Sequence, residues 1–186
     1  VTEGAQQLSK AQNDVFQVAQ NSRQALESTA QVYQRIAQNG KQLGLSLDRV
    51  ASITETVAKS VALSGASAQA AEASLVQFGQ ALASGTLRGD ELNSIMEQTP
   101  ALAQAIARGL GITIGQLRAM GAEGKLTSES VVRALESQKT KVDELSASMS
   151  VTAGQAMTAF NNSLTVTVGK LDEATTASSK FAKGLL

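Results

Sequence analysis

Any chemistry in this 186-residue chain has to be built without histidine or cysteine, because it contains neither. Their absence removes the usual general base, the thiol nucleophile and two of the commonest metal ligands. Ser–Lys pairs and paired carboxylates are what remain, and Asp90-Glu91 and Asp143-Glu144 are the pairs to weigh. Neighbouring residues on a helix point about 100° apart, so neither pair converges on one atom by spacing alone. Helix capping explains Asp90 better, and solvated helix faces explain Glu91, Asp143 and Glu144. Gly109, Gly111 and Gly115 have GxGxxxG spacing after a helical segment. A dinucleotide loop needs GxGxxG after a strand, so these glycines read as helix punctuation. No catalytic, metal or cofactor-binding residue is assigned, no cofactor is implied, and no small-molecule substrate is expected.

The elements that position these residues are helical, and the predicted class is all-α, with short capped helices flanked by longer ones. Ala71, Leu75, Phe78 and Leu82 fall on one helix face, which Ser84-Gly85 ends. Asp90 is expected to cap a short helix carrying Leu92, Ile95 and Met96. Thr99-Pro100 reads as an N-cap followed by proline at the first helical position, and Leu102, Ile106 and Leu110 follow on a third face. Upstream, Ser46 is expected to cap a helix with the stripe Leu47, Val50, Ile53, Val57 and Val61, closed by Ser64-Gly65. Downstream, Thr113 and Gln116 match a capping box. Gly121 and Gly124 end that helix, and Thr127 or Ser128 starts a longer one. Its stripe, Val131, Leu135, Val142, Leu145 and Met149, can be followed through Ala153, Ala156, Phe160, Leu164 and Leu171. No convincing strand is found.

From Leu8 to Ile36 a 3-4 spacing persists through Leu8, Ala11, Val15, Val18, Ser22, Ala25, Thr29, Val32 and Ile36, which is coiled-coil register. It predicts one long helix over 1–40 that either packs on its own domain or pairs with another copy through the candidate oligomer seam Leu8, Ala11, Val15, Val18, Val32 and Ile36. A compact helical module over 41–138 and a C-terminal helix with a frayed tail over 139–186 complete the expected organisation. Only five residues are aromatic, so Ala, Leu, Val and Ile must fill the core, and a single proline favours long helices. Val1 in place of an initiator Met, with no signal peptide, leads us to expect a piece of a longer chain.

Sixteen basic and sixteen acidic residues show no block of one sign, which argues against specific nucleic acid binding and against an anionic membrane surface. No apolar run approaches the roughly 18 residues needed to cross a bilayer, so no membrane segment is expected. A helix-turn-helix remains as an alternative. Ala107, Gly111, Ile112 and Leu117 fit its spacing and would turn Thr113, Gln116 and Arg118 toward DNA. Yet Ala101 to Leu126 holds three cations against one anion, whereas gripping a duplex takes about 6–10 phosphate contacts. A plain αα corner accounts for the same residues, and a generic helical adaptor is a further alternative.

Several submotifs between Ala62 and Leu135 occur together: Leu63-Ser64-Gly65-Ala66; Gln80 to Ser84 followed by Gly85-Thr86-Leu87-Arg88-Gly89-Asp90-Glu91-Leu92-Asn93; Pro100; Gly109-Leu110-Gly111; and Gly124-Lys125-Leu126-Thr127. In combination they resemble the tail tape measure proteins of long-tailed bacteriophages and prophages. That resemblance implies a structural protein of the virion tail interior, made in the bacterial host cytoplasm. It would set tail length during assembly and leave the tube at DNA ejection. The partners it implies are other copies of itself, tail-assembly chaperones and tail tube or tail-tip proteins. A ruler should read as uninterrupted helix, but Leu63 to Thr127 is broken by turns every ten to twenty residues, which predicts a folded module that docks. Leu87, Arg88, Asp90, Glu91 and Asn93 form the candidate docking turn.

Overall fold

The computed structural model describes residues 3–42 and 44–175. Among these residues the chain forms ten helices and a two-stranded ribbon. In order they are α1 (Glu3–Ser22), α2 (Leu26–Gln42), α3 (Leu47–Leu63), α4 (Ala68–Ala83), β1 (Thr86–Leu87), α5 (Gly89–Gln98), α6 (Pro100–Leu110), α7 (Ile114–Ala122), β2 (Leu126–Thr127), α8 (Ser128–Ser137), α9 (Lys139–Ala147) and α10 (Ala153–Thr175). The fold is compact and all-α.

Helix α3 is the centre of the structure, with α1, α2, α4, α6, α8 and α9 all packed on it. Of its predicted stripe, Val50, Ile53, Val57 and Val61 are buried and Leu47 is half-buried at the helix start. Thr54, Thr56 and Ser60 on its other sides are buried too. A helix enclosed on several faces needs small side chains and no orphaned polar groups. These three hydroxyls meet both demands by donating to the carbonyls of Val50, Ser52 and Thr56 at 2.7, 3.0 and 2.7 Å. Ala71, Leu75, Phe78 and Leu82 of α4 are buried together, and one core runs from Val15 to Val142.

The expected single helix over 1–40 is two helices. Arg23 has φ 57°, the left-handed conformation that glycine usually supplies at a helix end. Around it Gln24 N–H donates to Ala19 O and Arg23 N–H to Gln20 O. The same pair of bonds recurs around Gly111, where Ile112 N–H donates to Ala107 O, and around Gly124, where Lys125 N–H donates to Met120 O. An arginine in the glycine position hid the stop. Both halves feed the core with Val15, Val18, Val32, Tyr33 and Ile36, so residues 1–40 and 41–138 share one interior.

The long helix expected from Thr127 is α8, α9 and α10 in succession, although Thr127 caps its start as predicted, accepting from Ser130 N–H. The ribbon was not anticipated. Thr86 pairs with Thr127 and Leu87 with Leu126 in antiparallel register, and both leucines are fully buried. Ser128 extends the join, its N–H donating to Gly85 O at 2.9 Å and its hydroxyl to Leu82 O at 2.7 Å. Two-residue strands are too short for an alternating pattern to announce them. Asp90 is not the cap of α5; Gly89 begins the helix, and the carboxylate of Glu91 accepts from Arg88 N–H at 2.9 Å.

Candidate docking surfaces

The residues singled out from the sequence divide into those used internally and those left free. Of the candidate seam, Val15, Val18, Val32 and Ile36 are buried in this chain's own core and Ala11 packs against it. Leu8 alone is open, at 61% exposure. In the candidate docking turn Leu87 is buried in the ribbon, and Glu91 caps α5. Arg88, Asp90 and Asn93 are exposed along that edge. Thr113 and Gln116 form the predicted capping box, with Thr113 N–H donating to Gln116 Oε1 at 2.9 Å and Gln116 N–H to Thr113 Oγ1 at 3.2 Å. Their side chains are therefore occupied at the start of α7, while Arg118 is exposed. The submotifs Gly85–Asn93 and Gly124–Thr127, distant in sequence, meet in the ribbon. What makes this stretch recognisable is thus largely the chemistry of its joints.

A charge network fastens α9 to α3, and a tyrosine–carboxylate hydrogen bond joins α2 to α1. The Lys59 ammonium on α3 reaches Glu55 and Asp143 at 2.7 Å each, and Asp143 on α9 also takes Lys139 at 2.5 Å. Burial on its own would raise the Asp143 carboxyl, but hydrogen bonds from Lys139 and Lys59 outweigh it and hold the group below the usual carboxylate range. Burial likewise opposes the charge on Lys59, and the bonds to Asp143 and Glu55 override it to raise the ammonium. Between α2 and α1, Tyr33 donates to Asp14 Oδ2 at 3.3 Å. Burial first, then the adjacent Asp14 charge, push its hydroxyl up to about 12. Of the paired carboxylates, Glu91 serves a helix start, Asp143 these ion pairs and Glu144 a separate pair with Lys141, while Asp90 is exposed.

Helix α10 presents the surface that sequence reasoning oriented the wrong way. Phe160 and Leu164 were expected to continue the stripe of the preceding helix, yet they are 61% and 51% exposed, and Met157 and Val168 beside them are 59% and 55% exposed. At 100° per residue they occupy one side of the helix. The side facing the protein carries half-buried Ala159 and Val166, but its most buried residue is polar. Asn162 is buried; its Oδ1 accepts from Leu26 N–H at 3.0 Å and its Nδ2 donates to Gln24 O at 2.7 Å. Ser163, half-buried beside it, takes a hydrogen bond from Gln20. Leu26 opens α2, and no residue of the α1–α2 turn supplies a side-chain cap to that amide. Asn162 caps α2 from another helix. The signal in the sequence was an Asn-Asn-Ser run in the middle of an otherwise apolar pattern, which only the unusual α1–α2 turn explains.

Among the described residues no helix is long and apolar enough to cross a membrane, and no group of three or more Asp or Glu residues could hold a metal ion. Together the fold and its surfaces define an all-α packing module whose buried polar groups serve joints and caps. The chain belongs to the tape measure protein family, whose model matches residues 1–173. Membership supports a structural role in the phage tail. Neither a curated protein nor a solved structure matches the chain.

Proposed function

We propose that this chain is a folded docking module of a tape measure protein, one that contributes to tail-length determination by holding copies and partners together in the tail interior and not by catalysis. The observation that carries the reading is the outward stripe of α10. Exposed apolar residues scattered singly are ordinary on a protein surface, whereas a contiguous row marks a contact site. Met157, Phe160 and Leu164 keep the 3-4 spacing of a helix-pairing seam, and no charged residue lies between Glu144 and Lys170. A second copy of the same uncharged face can lie against it without burying an unpaired charge. Self-association thus moves from the Leu8–Ile36 seam, whose core residues are internal, to α10. The exposed edge of Arg88, Asp90 and Asn93 is a further contact in this proposal, with tail-assembly chaperones and tail-tube or tail-tip proteins as the partner classes.

Sedimentation equilibrium from about 10 to 500 µM tests the stripe. The account expects concentration-dependent association that Phe160→Glu together with Leu164→Glu abolishes while the helical circular dichroism is kept. A strictly monomeric wild type throughout that range would remove α10 as the self-association face. An alternative DNA-reading role for Thr113, Gln116 and Arg118 would require salt-sensitive duplex binding by the same protein.

A further inference from the structure

Helices α6 and α9 both pack on α3 but not closely on one another, and the gap between them is a groove of about 310 Å³. That volume lies at the small end of sites that accept a ligand. Its lining is mixed, with apolar Leu63, Ala105, Val142 and Leu145 beside polar Ser60, Gln104 and Gln138, and with Arg108 on the α6 side and Lys141 on the α9 side. Among the described residues no aspartate or glutamate lines it. Arg108 has one hydrogen bond, a 3.4 Å contact to Gln104 Oε1, and no ion pair among the described residues. Among the described residues Lys141 is held only by Glu144 at 3.1 Å, with both side chains more than half exposed, an arrangement that contributes little and exchanges readily. The α9 wall itself is fixed in place by the Lys59–Asp143 pair next to the groove.

We infer that this groove docks an acidic amphipathic helix of a partner protein, with an apolar anchor on the floor between α6 and α9 and carboxylates that pair with Arg108 and Lys141. The reading deepens the docking proposal by giving one partner its chemistry. Helix-in-groove recognition needs an apolar trough with rim charges to set partner choice, and both are present. A neutral apolar segment would offer Arg108 no carboxylate and leave Lys141 with only its exposed pair to Glu144, and a basic one would be repelled. The outward stripe of α10 has no carboxylate to offer, so the occupant of the groove differs from that of α10.

Selection of displayed 16-residue peptides against the intact chain tests the inference. Run in parallel, the Phe160→Glu/Leu164→Glu protein separates groove binding from self-association at α10. Enriched peptides are expected to carry Asp or Glu flanking a Leu, Ile or Phe anchor, and to lose at least tenfold in affinity against Arg108→Glu/Lys141→Glu. Their binding should weaken with added salt and survive the α10 substitutions. Both groove positions are exposed, so the charge-reversed protein should fold, which circular dichroism checks. Enriched peptides that are neutral or basic, acidic peptides insensitive to the charge reversal, or no enrichment at all would each overturn the inference.

Discussion

Gly109 shows how little room the helix contacts leave. A Cβ built there would lie 2.3 Å from Ala134 O and 2.6 Å from its carbonyl carbon, both backbone atoms of α8. Backbone cannot rotate out of the way as a side chain can, so α6 and α8 would have to separate. Gly109→Ala is expected to destabilise the fold by about 1–3 kcal/mol or more, the range for overpacking a filled interior. Gly115 is the control. It is exposed in α7, and its Cβ would meet only Thr113 Oγ1 at 3.9 Å; Gly115→Ala should be neutral or stabilise by up to about 1 kcal/mol. Urea unfolding midpoints measure both, and equal effects at the two sites would contradict the close packing described for α6 and α8.

At the scale of elements, the outer helices are held by polar contacts, and each can be loosened separately. Asn162→Ala removes the cap on α2 and leaves Leu26 N–H and Gln24 O without their partner. A loss of about 1–3 kcal/mol is expected, with faster hydrogen exchange at Leu26 and along α10; unchanged exchange there would refute the cross-helix cap. For α9, which also buries Val142 in the core, the polar contact to α3 is the Lys59–Asp143 pair, and its pH dependence has a definite sign. Because the folded carboxyl of Asp143 sits below its unfolded value of about 3.9, its stabilisation is complete above pH ~4 and is lost as pH falls through the lower folded value. Asp143→Asn should therefore reduce stability at pH 7 and converge on wild type in acid. A difference that persists at pH 2 would mean that packing, not charge, is what the substitution disturbs.

These elements also show where sequence reasoning reached and where it stopped. Ser46, Thr113 and Thr127 were legible as caps because capping is a local bond between a side chain and an amide two or three residues on. Ala71, Leu75, Phe78 and Leu82 were legible as core because burial on one side imposes helical spacing. Arg23 was not, since nothing local distinguishes an arginine that will adopt positive φ from one inside a helix. The heptad pattern ran straight across it. The inversion of α10 was hidden for a related reason. Periodicity reports that a helix is amphipathic but not which face turns inward, and here the polar face is drawn in by a vacant amide far away in sequence. The ribbon escaped because long-range pairing of two-residue strands leaves no period. Of the candidate docking residues, the exposure of Arg88, Asp90 and Asn93 followed from a polar turn, whereas the burial of Leu87 depended on Leu126.

For the whole molecule, the same features argue against an extended ruler over this stretch. The core is continuous from Val15 to Val142, and the ribbon joins residues some forty positions apart, so no continuous helix can exist there while the fold is intact. The module instead offers three faces of different chemistry: the uncharged apolar stripe of α10, the cation-rimmed groove between α6 and α9, and the polar edge at Arg88. Its contribution to tail length would come through attachment. The most direct measurement is tail length by electron microscopy after in-frame deletion of residues 89–122 in the tail-assembly system that encodes this chain. The account predicts that tails fail to assemble or lose their uniform length, because deletion of α5, α6 and α7 destroys the docking fold. Uniform tails shortened by about 50 Å, the length those residues would span as continuous helix, would contradict it.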